Sequence, residues 1–510
     1  MKTINPTSEK VLASYQFLSN KKIDEKIMKS QKVFKEWSQK SVKERVSYLV
    51  PLKEALENIR KEAAKSITQE MGKPIVQAHA EIKKCGLLCD YLAENAEKYL
   101  SPISIESNFS QSSIVYSPKG IIFGIMPWNF PFWQVFRFAV PAMMAGNSIL
   151  LKHAPNTFGT SEWIEKCFLK AGLPKYLYQN LIISEKSAER VIASPFVQGV
   201  SFTGSTRGGR QVASLVGQYM KKGVFELGGS DAYVIMEDAD LEMAAEKLVT
   251  SRMLNNGQSC VAAKRMIVLK SVKKDFIDLV VEKMKTYSIG DPLIESTSLG
   301  PLAREDLKIG LENQVKKSIR KGAKVLFGGA VSKNQKGFYY PATVLGAVEP
   351  GQPAYDEELF GPVLSVIEAK NETTAFAIAN DSMYGLGSGI FSRDTQRAWD
   401  LGVKHLNSGM VFINDFVKST PELPFGGEKQ SGVGRELSSF GLHEFANIKT
   451  VVISSKNASS QSLRARIKTK NLEIWRILRL LKTCKTGKQR KRKQSFNQGK
   501  GSMLSGKEGM

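Results

Sequence analysis

The chain has 510 residues, of which 42% are hydrophobic and 24% are charged, a balance that excludes a disordered or fibrous protein. This length exceeds what one hydrophobic core supports and predicts two or three structural units. The net charge of +24 does not indicate nucleic-acid binding by the whole chain, because residues 456–510 hold sixteen basic and only two acidic residues.

Cysteine usage and the first residues predict a cytoplasmic protein. Five cysteines, an odd number in so long a chain, form no disulfide framework and indicate a reducing compartment. The chain begins without the basic stretch and apolar run of a secretory signal. No metal site is expected, because neither the histidines nor the pair Cys85 and Cys89 has metal-ligand spacing within a cluster.

The first part of the chain is predicted to be mainly helical. Amphipathic runs at Val46–Ala64 and Ala78–Lys98 are separated by the helix breaker Gly72-Lys73-Pro74. Ser112–Tyr116 alternates polar and apolar residues and predicts an exposed strand. The most apolar stretch, Ile121–Leu151, is interrupted by prolines, asparagines and an arginine, so it is interpreted as buried strand, loop and helix instead of a membrane span.

Two series of short strands then alternate with helices such as Leu241–Leu254 and Phe276–Lys285. This alternation predicts two α/β units with doubly wound parallel sheets, which bind ligands at the carboxyl ends of their strands. The predicted strands are Ile121–Ile125, Asn147–Lys152, Leu181–Ile183 and Gly199–Thr203 in the first unit, and Tyr233–Met236, Lys264–Leu269, Lys324–Phe327, Val363–Ala369 and Gly389–Phe391 in the second.

A short polar segment that ends on a cysteine is the first candidate for chemistry. Asn256-Gly257-Gln258-Ser259-Cys260 directly follows the second-unit helix that begins at Leu241. A thiol in such a loop can act as a nucleophile. The alternative is that Cys260 is a buried small apolar residue, which is the ordinary role of a free cysteine.

Three further segments contain groups that would complement such a thiol. Glu226 stands among apolar residues and glycines, where burial would raise the pKa of its carboxyl group and suit it to act as a general base. Asn129 lies between two prolines, a rigid setting for a hydrogen-bond donor to an oxyanion. Phe202–Gly209 follows a predicted strand, so its glycines could let the backbone approach a dinucleotide pyrophosphate. Each segment alone could also be a structural turn.

Together and in this order, these segments closely resemble the aldehyde dehydrogenase superfamily over roughly residues 2–453. The resemblance is carried by PWNFP (127–131), FTGST (202–206), ELGGSD (226–231), GQSC (257–260), EELFGP (357–362) and PFGGEKQSGVGRE (424–436). It implies an aldehyde dehydrogenase-like α/β fold with two doubly wound parallel-sheet domains and a β-arm that forms homodimers or homotetramers. The implied division is a dinucleotide-binding domain at 1–99 and 118–228, a catalytic domain at 229–436, an oligomerisation arm at 100–117 and 437–455, and a basic tail at 456–510.

The resemblance also implies a mechanism for oxidising a small-molecule aldehyde. Cys260 would add to the aldehyde as a thiolate, and the oxyanion would be held by the Asn129 side-chain amide and the Cys260 backbone N–H. Loss of hydride would leave a thioester, which water activated by Glu226 would hydrolyse to a carboxylic acid. Relatives that transfer the acyl group to coenzyme A generally lack this glutamate, so a free acid is the expected product.

The cofactor implied by the resemblance is NAD or NADP. The residues assigned to it are Trp128 and Lys152 on the nucleotide side, Gly204, Ser205 and Gly209 of the glycine turn at the pyrophosphate, Leu227 at the nicotinamide, and Glu358 and Phe360 at the nicotinamide ribose. NAD-selective relatives often carry a glutamate three residues after the lysine, where it repels a 2′-phosphate. This chain has Pro155 there, which removes that barrier to NADP.

Arg137 indicates the class of substrate. It follows Asn129 by two helical turns, so it could point into the same tunnel and hold a carboxylate. The succinate-semialdehyde branch of the superfamily has an arginine at this position, but some members carry a second arginine where this chain has Leu254. Lys418, Ser419 or Thr420 could contribute, and the alternative is that they form a solvated loop. Other small aliphatic or aromatic aldehydes, or a catalytically silent homologue acting as a binding protein, remain alternatives.

The basic tail lies beyond the resemblance. Leu463–Leu481 has the pattern of a basic amphipathic helix, and Lys488–Lys493 adds a cluster of cations. These features allow weak contact with an anionic membrane or a nucleic acid. The alternatives are an extension without fixed structure or a shifted reading frame past the true end.

Overall fold

A computed structural model of the chain describes residues 1–330 and 336–454, so the interpretations of the tail and of Cys484 lie outside the described residues. The described helices are α1 (Asn20–Trp37), α2 (Val42–Val46), α3 (Leu49–Met71), α4 (Ile75–Leu100), α5 (Trp133–Met144), α6 (Phe158–Lys170), α7 (Ala188–Ala193), α8 (Thr206–Gln218), α9 (Leu241–Met253), α10 (Lys273–Lys285), α11 (Glu305–Arg320), α12 (Pro353–Asp356), α13 (Glu372–Asn380), α14 (Thr395–His405) and α15 (Ser438–Glu444). Three short 3₁₀ turns lie at Pro155–Thr157, Glu185–Ser187 and Leu254–Gly257.

The strands fall into two large sheets and three small ones. They are β1 (Lys2–Ile4), β2 (Val11–Ser14), β3 (Ile103–Ser104), β4 (Gln111–Pro118), β5 (Ile121–Met126), β6 (Ser148–His153), β7 (Tyr178–Asn180), β8 (Val197–Thr203), β9 (Lys222–Glu226), β10 (Asp231–Ile235), β11 (Ala263–Leu269), β12 (Lys324–Phe327), β13 (Thr343–Gly346), β14 (Val363–Ala369), β15 (Tyr384–Gly385), β16 (Gly387–Phe391), β17 (Met410–Ile413), β18 (Glu428–Lys429), β19 (Gly432–Val433) and β20 (Ala446–Ile453).

The helices α3 and α4 are the two helices that the sequence predicted on either side of a breaker, and they pack against each other. Gly72 ends α3 in the left-handed conformation, with φ of 78°. A Cβ atom at Gly72 would lie 2.4 Å from the carbonyl oxygen of Pro301, so a side chain is excluded there. The predicted helix Val46–Ala64 was wrong at its start, because the chain turns at Ser47 and Tyr48 between α2 and α3.

The first large sheet has the strand order β19-β9-β8-β5-β6-β7, and only its edge pair β19–β9 is antiparallel. Its core agrees with the predicted parallel sheet. The predicted strand Leu181–Ile183 was wrong: the strand is β7, three residues earlier, and the buried residues Leu181 and Ile183 pack into the core beyond its end. Burial without strand pairing produces the same apolar run in the sequence.

The second large sheet has the order β12-β13-β14-β11-β10-β16-β17, with only the edge pair β12–β13 antiparallel. All five strands predicted for it are present, whereas β13 and β17 were missed. The α/β fold with two largely parallel sheets is therefore confirmed, each with one antiparallel edge strand of the kind that large α/β sheets often carry.

The apolar stretch that resembled a membrane span forms β5, the following loop, α5 and β6. Every residue of α5 is buried. Gly124 of β5 allows α5 to approach closely, since a Cβ atom there would lie 2.1 Å from the Phe138 ring. This packing fixes the loop at Pro127–Phe132 over the carboxyl end of the first sheet.

The described residues fall into two compact units, one within residues 1–101 and 116–448, and one of residues 102–115 and 449–454. The first contains both large sheets. A separate sheet has the order β20-β4-β3, in which β3 and β4 are antiparallel. Within residues 1–330 and 336–454, no helix is long and apolar enough to cross a membrane.

Candidate active site

Cys260 lies where two cavities meet. The smaller one, of about 210 Å³, is lined by side chains from α4, α5 and the loop before Phe425. The larger one, of about 360 Å³, is lined by the glycine turn after β8 and by the segment after α12. Cys260 and Gln134 line both. A thiol at this junction can reach a molecule in either cavity.

The loop that carries Cys260 is held in a strained conformation. Asn255 and Asn256 both have φ of 56° in the left-handed region, which costs energy for residues with a side chain and least for asparagine. Their amides compensate by hydrogen bonding: Asn255 Nδ2 donates to the Asn129 carbonyl at 2.8 Å, and Asn256 Nδ2 donates to the Gly72 carbonyl at 2.8 Å. The loop is thereby fixed to the Asn129 loop and to the end of α3.

Burial determines the protonation state of the Cys260 thiol. It raises the pKa of the Cys260 thiol to about 12, although the nearby cations Arg137 and Lys264 lower it. The Lys264 Nζ donates to the Cys260 carbonyl at 2.7 Å and to the Ser259 carbonyl at 3.0 Å. Cys260 is therefore a thiol at neutral pH in this state, and its reaction requires loss of that proton.

The Asn129 amide is oriented by two hydrogen bonds. Its Nδ2 donates to the Gln258 carbonyl at 3.0 Å, and its Oδ1 accepts from Gln134 Nε2 at 3.0 Å. An amide nitrogen has two protons, so one remains for a ligand in the larger cavity, which Asn129 lines together with Cys260. This arrangement suits the oxyanion role that the sequence predicted.

Glu226, the last residue of β9, is only 2% exposed. Burial raises the pKa of its carboxyl group well above the ordinary value, against the opposing effect of Arg137. Neither carboxyl oxygen has a hydrogen-bond partner among the described residues. Glu226 is not among the residues that line the two cavities at Cys260. Its side chain must therefore turn toward the Cys260 thiol before it can act on a molecule bound to that thiol.

Arg137 lines the smaller cavity with Cys260, but its charge already has a partner. Its Nε forms an ion pair with Glu436, and both side chains are 3% exposed. Ser201 Oγ donates to the same carboxylate at 3.2 Å, and the guanidinium stacks on the Phe425 ring with its carbon 4.3 Å from the centroid. The sequence analysis missed this role of Glu436, although the residue closes the motif at 424–436.

The smaller cavity contains a lysine that the sequence analysis did not single out. Lys84 of α4 donates from Nζ to Ser419 Oγ at 2.9 Å and lies 4.3 Å from the centroid of the Trp133 ring. Burial, and then the nearby Arg137, lower the pKa of Lys84 to about 8. Leu254, which stands where some relatives have a second arginine, also lines this cavity. No motif marks Lys84, because tertiary packing of α4 brings it to the site.

Six of the residues predicted to bind the cofactor line the larger cavity: Trp128, Gly204, Ser205, Leu227, Glu358 and Phe360. Ser205 caps α8 by accepting from the Gly208 N–H at 3.2 Å. This places the positive end of a helix beside the cavity, as an anionic pyrophosphate requires. Glu358 Oε1 is held by the Gly229 N–H at 3.0 Å, and a carboxylate there suits ribose hydroxyls.

The other two predicted cofactor residues take different places. Lys152 lies buried near the carboxyl end of β6, and burial lowers the pKa of its ammonium group. Gly209 lies in the first turn of α8, where a Cβ atom would come within 2.3 Å of the Leu227 side chain. Neither Lys152 nor Gly209 is among the residues that line the larger cavity. Gly209 therefore acts on the cavity through Leu227, by letting that side chain pack against α8.

Comparison with known proteins adds independent findings. The model of the aldehyde dehydrogenase family matches residues 1–451. A probable succinate-semialdehyde dehydrogenase [NADP(+)] of Synechocystis sp. is 42% identical over 451 residues, which are 88% of this chain and 99% of that protein. The succinate semialdehyde dehydrogenase [NAD(P)+] Sad of Escherichia coli is 41% identical over 88% of this chain and 97% of its own length.

A solved structure agrees with these relatives. The succinic semialdehyde dehydrogenase from Streptococcus pyogenes, in complex with NADP+ as the cofactor, superposes with a TM-score of 0.87. It is 34% identical and covers 89% of this chain and all of its own.

Proposed function

Since the chain belongs to the aldehyde dehydrogenase family, we propose that it oxidises succinate semialdehyde to succinate with NAD or NADP. The observation that carries this proposal is the position of Cys260 between a cavity with cations and a cavity that suits a dinucleotide. The relatives at about 40% identity that are named for this reaction support it.

The first step assigned to the chain is addition of Cys260 Sγ to the aldehyde carbon. Its thiol proton must pass to solvent as the bond forms, because burial raises the pKa of the thiol to about 12. The new C–S bond turns the carbonyl oxygen into an oxyanion, which the second N–H of Asn129 Nδ2 and the Cys260 backbone N–H stabilise. The amide needs no reorientation, since Gln134 and Gln258 already hold it.

The larger cavity fits NAD or NADP. Ser205 and the start of α8 would hold the pyrophosphate, Glu358 the nicotinamide ribose, and Trp128, Leu227 and Phe360 the remaining surface. When bound, the cofactor supplies the hydride acceptor that the oxidation needs. The absence of an acidic side chain at Pro155 removes a barrier to a 2′-phosphate, so use of both cofactors is proposed.

Glu226 is proposed to complete the reaction by hydrolysis. The thioester left on Cys260 requires a nucleophilic water, and a buried carboxylate with a raised pKa takes a proton from water readily. A proton accepted there leaves Glu226 neutral, which suits its apolar setting. The water oxygen adds to the acyl carbon, the C–S bond breaks, and a carboxylic acid leaves.

The domain assignment is proposed on the same basis. Residues 1–99 and 118–228 would form the dinucleotide-binding domain and residues 229–436 the catalytic domain. The segments 100–117 and 437–455 would form an arm that joins copies into a homodimer or homotetramer. Exposed apolar residues on β20, including Ile448 and Val451, support this arm. Free thiols at the four described cysteines are consistent with the proposed cytoplasmic location.

The test is the initial rate of NAD and NADP reduction with succinate semialdehyde and with butanal, which has the same carbon chain without the carboxylate. Wild type is expected to prefer the semialdehyde in kcat/KM by at least about tenfold, the effect of one charge-assisted contact. Cys260→Ala is expected to abolish both activities. Equal use of the two aldehydes would overturn the assigned substrate, and reduction with neither would favour a catalytically silent protein.

A further inference from the structure

Four cations line the smaller cavity, and they differ in whether a carboxylate neutralises them. Lys73 is ion-paired with Glu81, and Arg137 with Glu436. The Lys418 Nζ lies 2.7 Å from a carboxylate oxygen of Asp415. Lys84 forms no ion pair with any carboxylate of the residues that the structure describes. It is the cation of this cavity whose charge is left for a ligand.

The hydroxyl group beside Lys84 also has unused hydrogen-bonding capacity. Ser419 Oγ accepts from Lys84 Nζ at 2.9 Å and from the Trp133 indole N–H at 2.8 Å. A hydroxyl oxygen has two acceptor positions and one proton. With both positions occupied, the Ser419 proton is left to donate, and Ser419 lines the cavity. Lys84 and Ser419 thus present two adjacent donors of the kind that bind a carboxylate.

Lys84 and Ser419 lie where the smaller cavity at Cys260 adjoins a more open cavity. This third and more open cavity, of about 620 Å³, is lined by residues of α4 and of the segment 418–422. Lys84 and Ser419 line this third cavity and also the smaller cavity at Cys260. A bifunctional molecule whose aldehyde meets Cys260 would therefore direct its opposite end toward them.

We propose that Lys84, with the Ser419 hydroxyl, binds the distal carboxylate of the substrate and sets the preference for aldehydes that carry one. The inference rests on the proposed function and deepens it. The main carboxylate contact is then made by Lys84 of α4. Arg137 is not available for it in the same way, because its guanidinium is already ion-paired with Glu436. A bound carboxylate would supply the counter-charge that Lys84 lacks.

The protonation of Lys84 gives this contact a characteristic pH dependence. The groups that act on it are Glu81, Cys85 and Lys73, which lie on or next to its own helix, and Arg137 of α5. Ser419 and Lys418 face the same cavity from the opposite side. Burial first, and then Arg137 and Lys73, lower the pKa of Lys84 to about 8, whereas Cys85 and Glu81 oppose this shift. Above that pH the lysine is neutral, so the KM for a carboxylated aldehyde should rise while the KM for butanal should not.

The experiment compares Lys84→Met with two other variants. The first is Lys98→Met, a matched change at an exposed position fourteen residues further along α4. The second is Lys84→Arg. Lys84→Met is expected to raise the KM for succinate semialdehyde about 10- to 100-fold, the effect of losing a charged hydrogen bond. Its kcat and KM for butanal should stay within about twofold. Lys98→Met should match wild type, and Lys84→Arg should bind the semialdehyde without the rise in KM above pH 8.

Each outcome is decisive. If wild type prefers the semialdehyde and Lys84→Met keeps that preference, the inference is wrong and the proposed function stands. If wild type shows no preference, the assigned substrate and the inference both fail. Oxidation of butanal by Lys84→Met shows that the variant is folded. If it does not fold, a wild-type KM for the semialdehyde that stays constant between pH 7 and pH 9.5 overturns the inference.

Discussion

Asn129, the proposed oxyanion donor, shows how neighbouring residues orient a single amide. Its oxygen is bound by Gln134 and one of its N–H groups by the Gln258 carbonyl, so the second N–H has a fixed direction before any ligand arrives. Donors that are already oriented stabilise a developing oxyanion more than mobile ones, because no reorganisation is needed during the reaction. The sequence identified this residue from its two flanking prolines, but Gln134, which orients it, could not be recognised from spacing alone.

We therefore expect Asn129→Ala to lower kcat by about 10²- to 10³-fold, measured with either aldehyde at saturation. The control is the rate at which iodoacetamide alkylates Cys260, which should stay within a few-fold of wild type if the nucleophile loop is intact. A variant that keeps its kcat would show that Asn129 does not bind the oxyanion. A large change in alkylation would instead indicate that the loop itself has moved.

At the scale of elements, a buried carboxylate joins two helices that frame the first sheet. Glu70, near the end of α3, accepts from the backbone N–H groups of Gly159 and Thr160 in the first turn of α6, each at 2.8 Å. It acts as an N-terminal cap supplied by another helix, which satisfies two unpaired donors. Burial raises the pKa of the Glu70 carboxyl group to about 7, although these hydrogen bonds oppose the shift.

Glu70→Gln is expected to lower the melting temperature, because the new amide N–H₂ would face an N–H donor. The loss should be larger at pH 5 than at pH 8. The folded-state pKa lies above the unfolded value near 4.5, so the stability that Glu70 contributes is fully present below the unfolded pKa and is lost as pH rises through 7. Differential scanning fluorimetry at both pH values measures this. An equal or larger loss at pH 8 would show that the folded protein does not favour the neutral form of the Glu70 carboxyl group.

At the scale of the whole molecule, the sequence predicted the α/β fold, most strands of both large sheets, and the division of the apolar stretch into strand, loop and helix. Local patterns are sufficient where buried strands and amphipathic helices alternate regularly. The short strands β9, β13 and β17 were missed, although the equally short β12 was predicted. Lys84 and Glu436 were not assigned their places because α4 and the segment after β19 reach the site only through tertiary packing.

The measurement that tests the account most directly is intact-protein mass spectrometry of Glu226→Gln after mixing with succinate semialdehyde and NADP. If Cys260 forms the thioester and Glu226 activates the water that cleaves it, this variant should release about one equivalent of NADPH rapidly and accumulate a succinyl group on Cys260. Wild type should turn over without accumulating the succinyl group. Cys260→Ala should neither form NADPH nor carry the succinyl group. Steady turnover by Glu226→Gln at the wild-type rate, with no covalent adduct, would contradict the account.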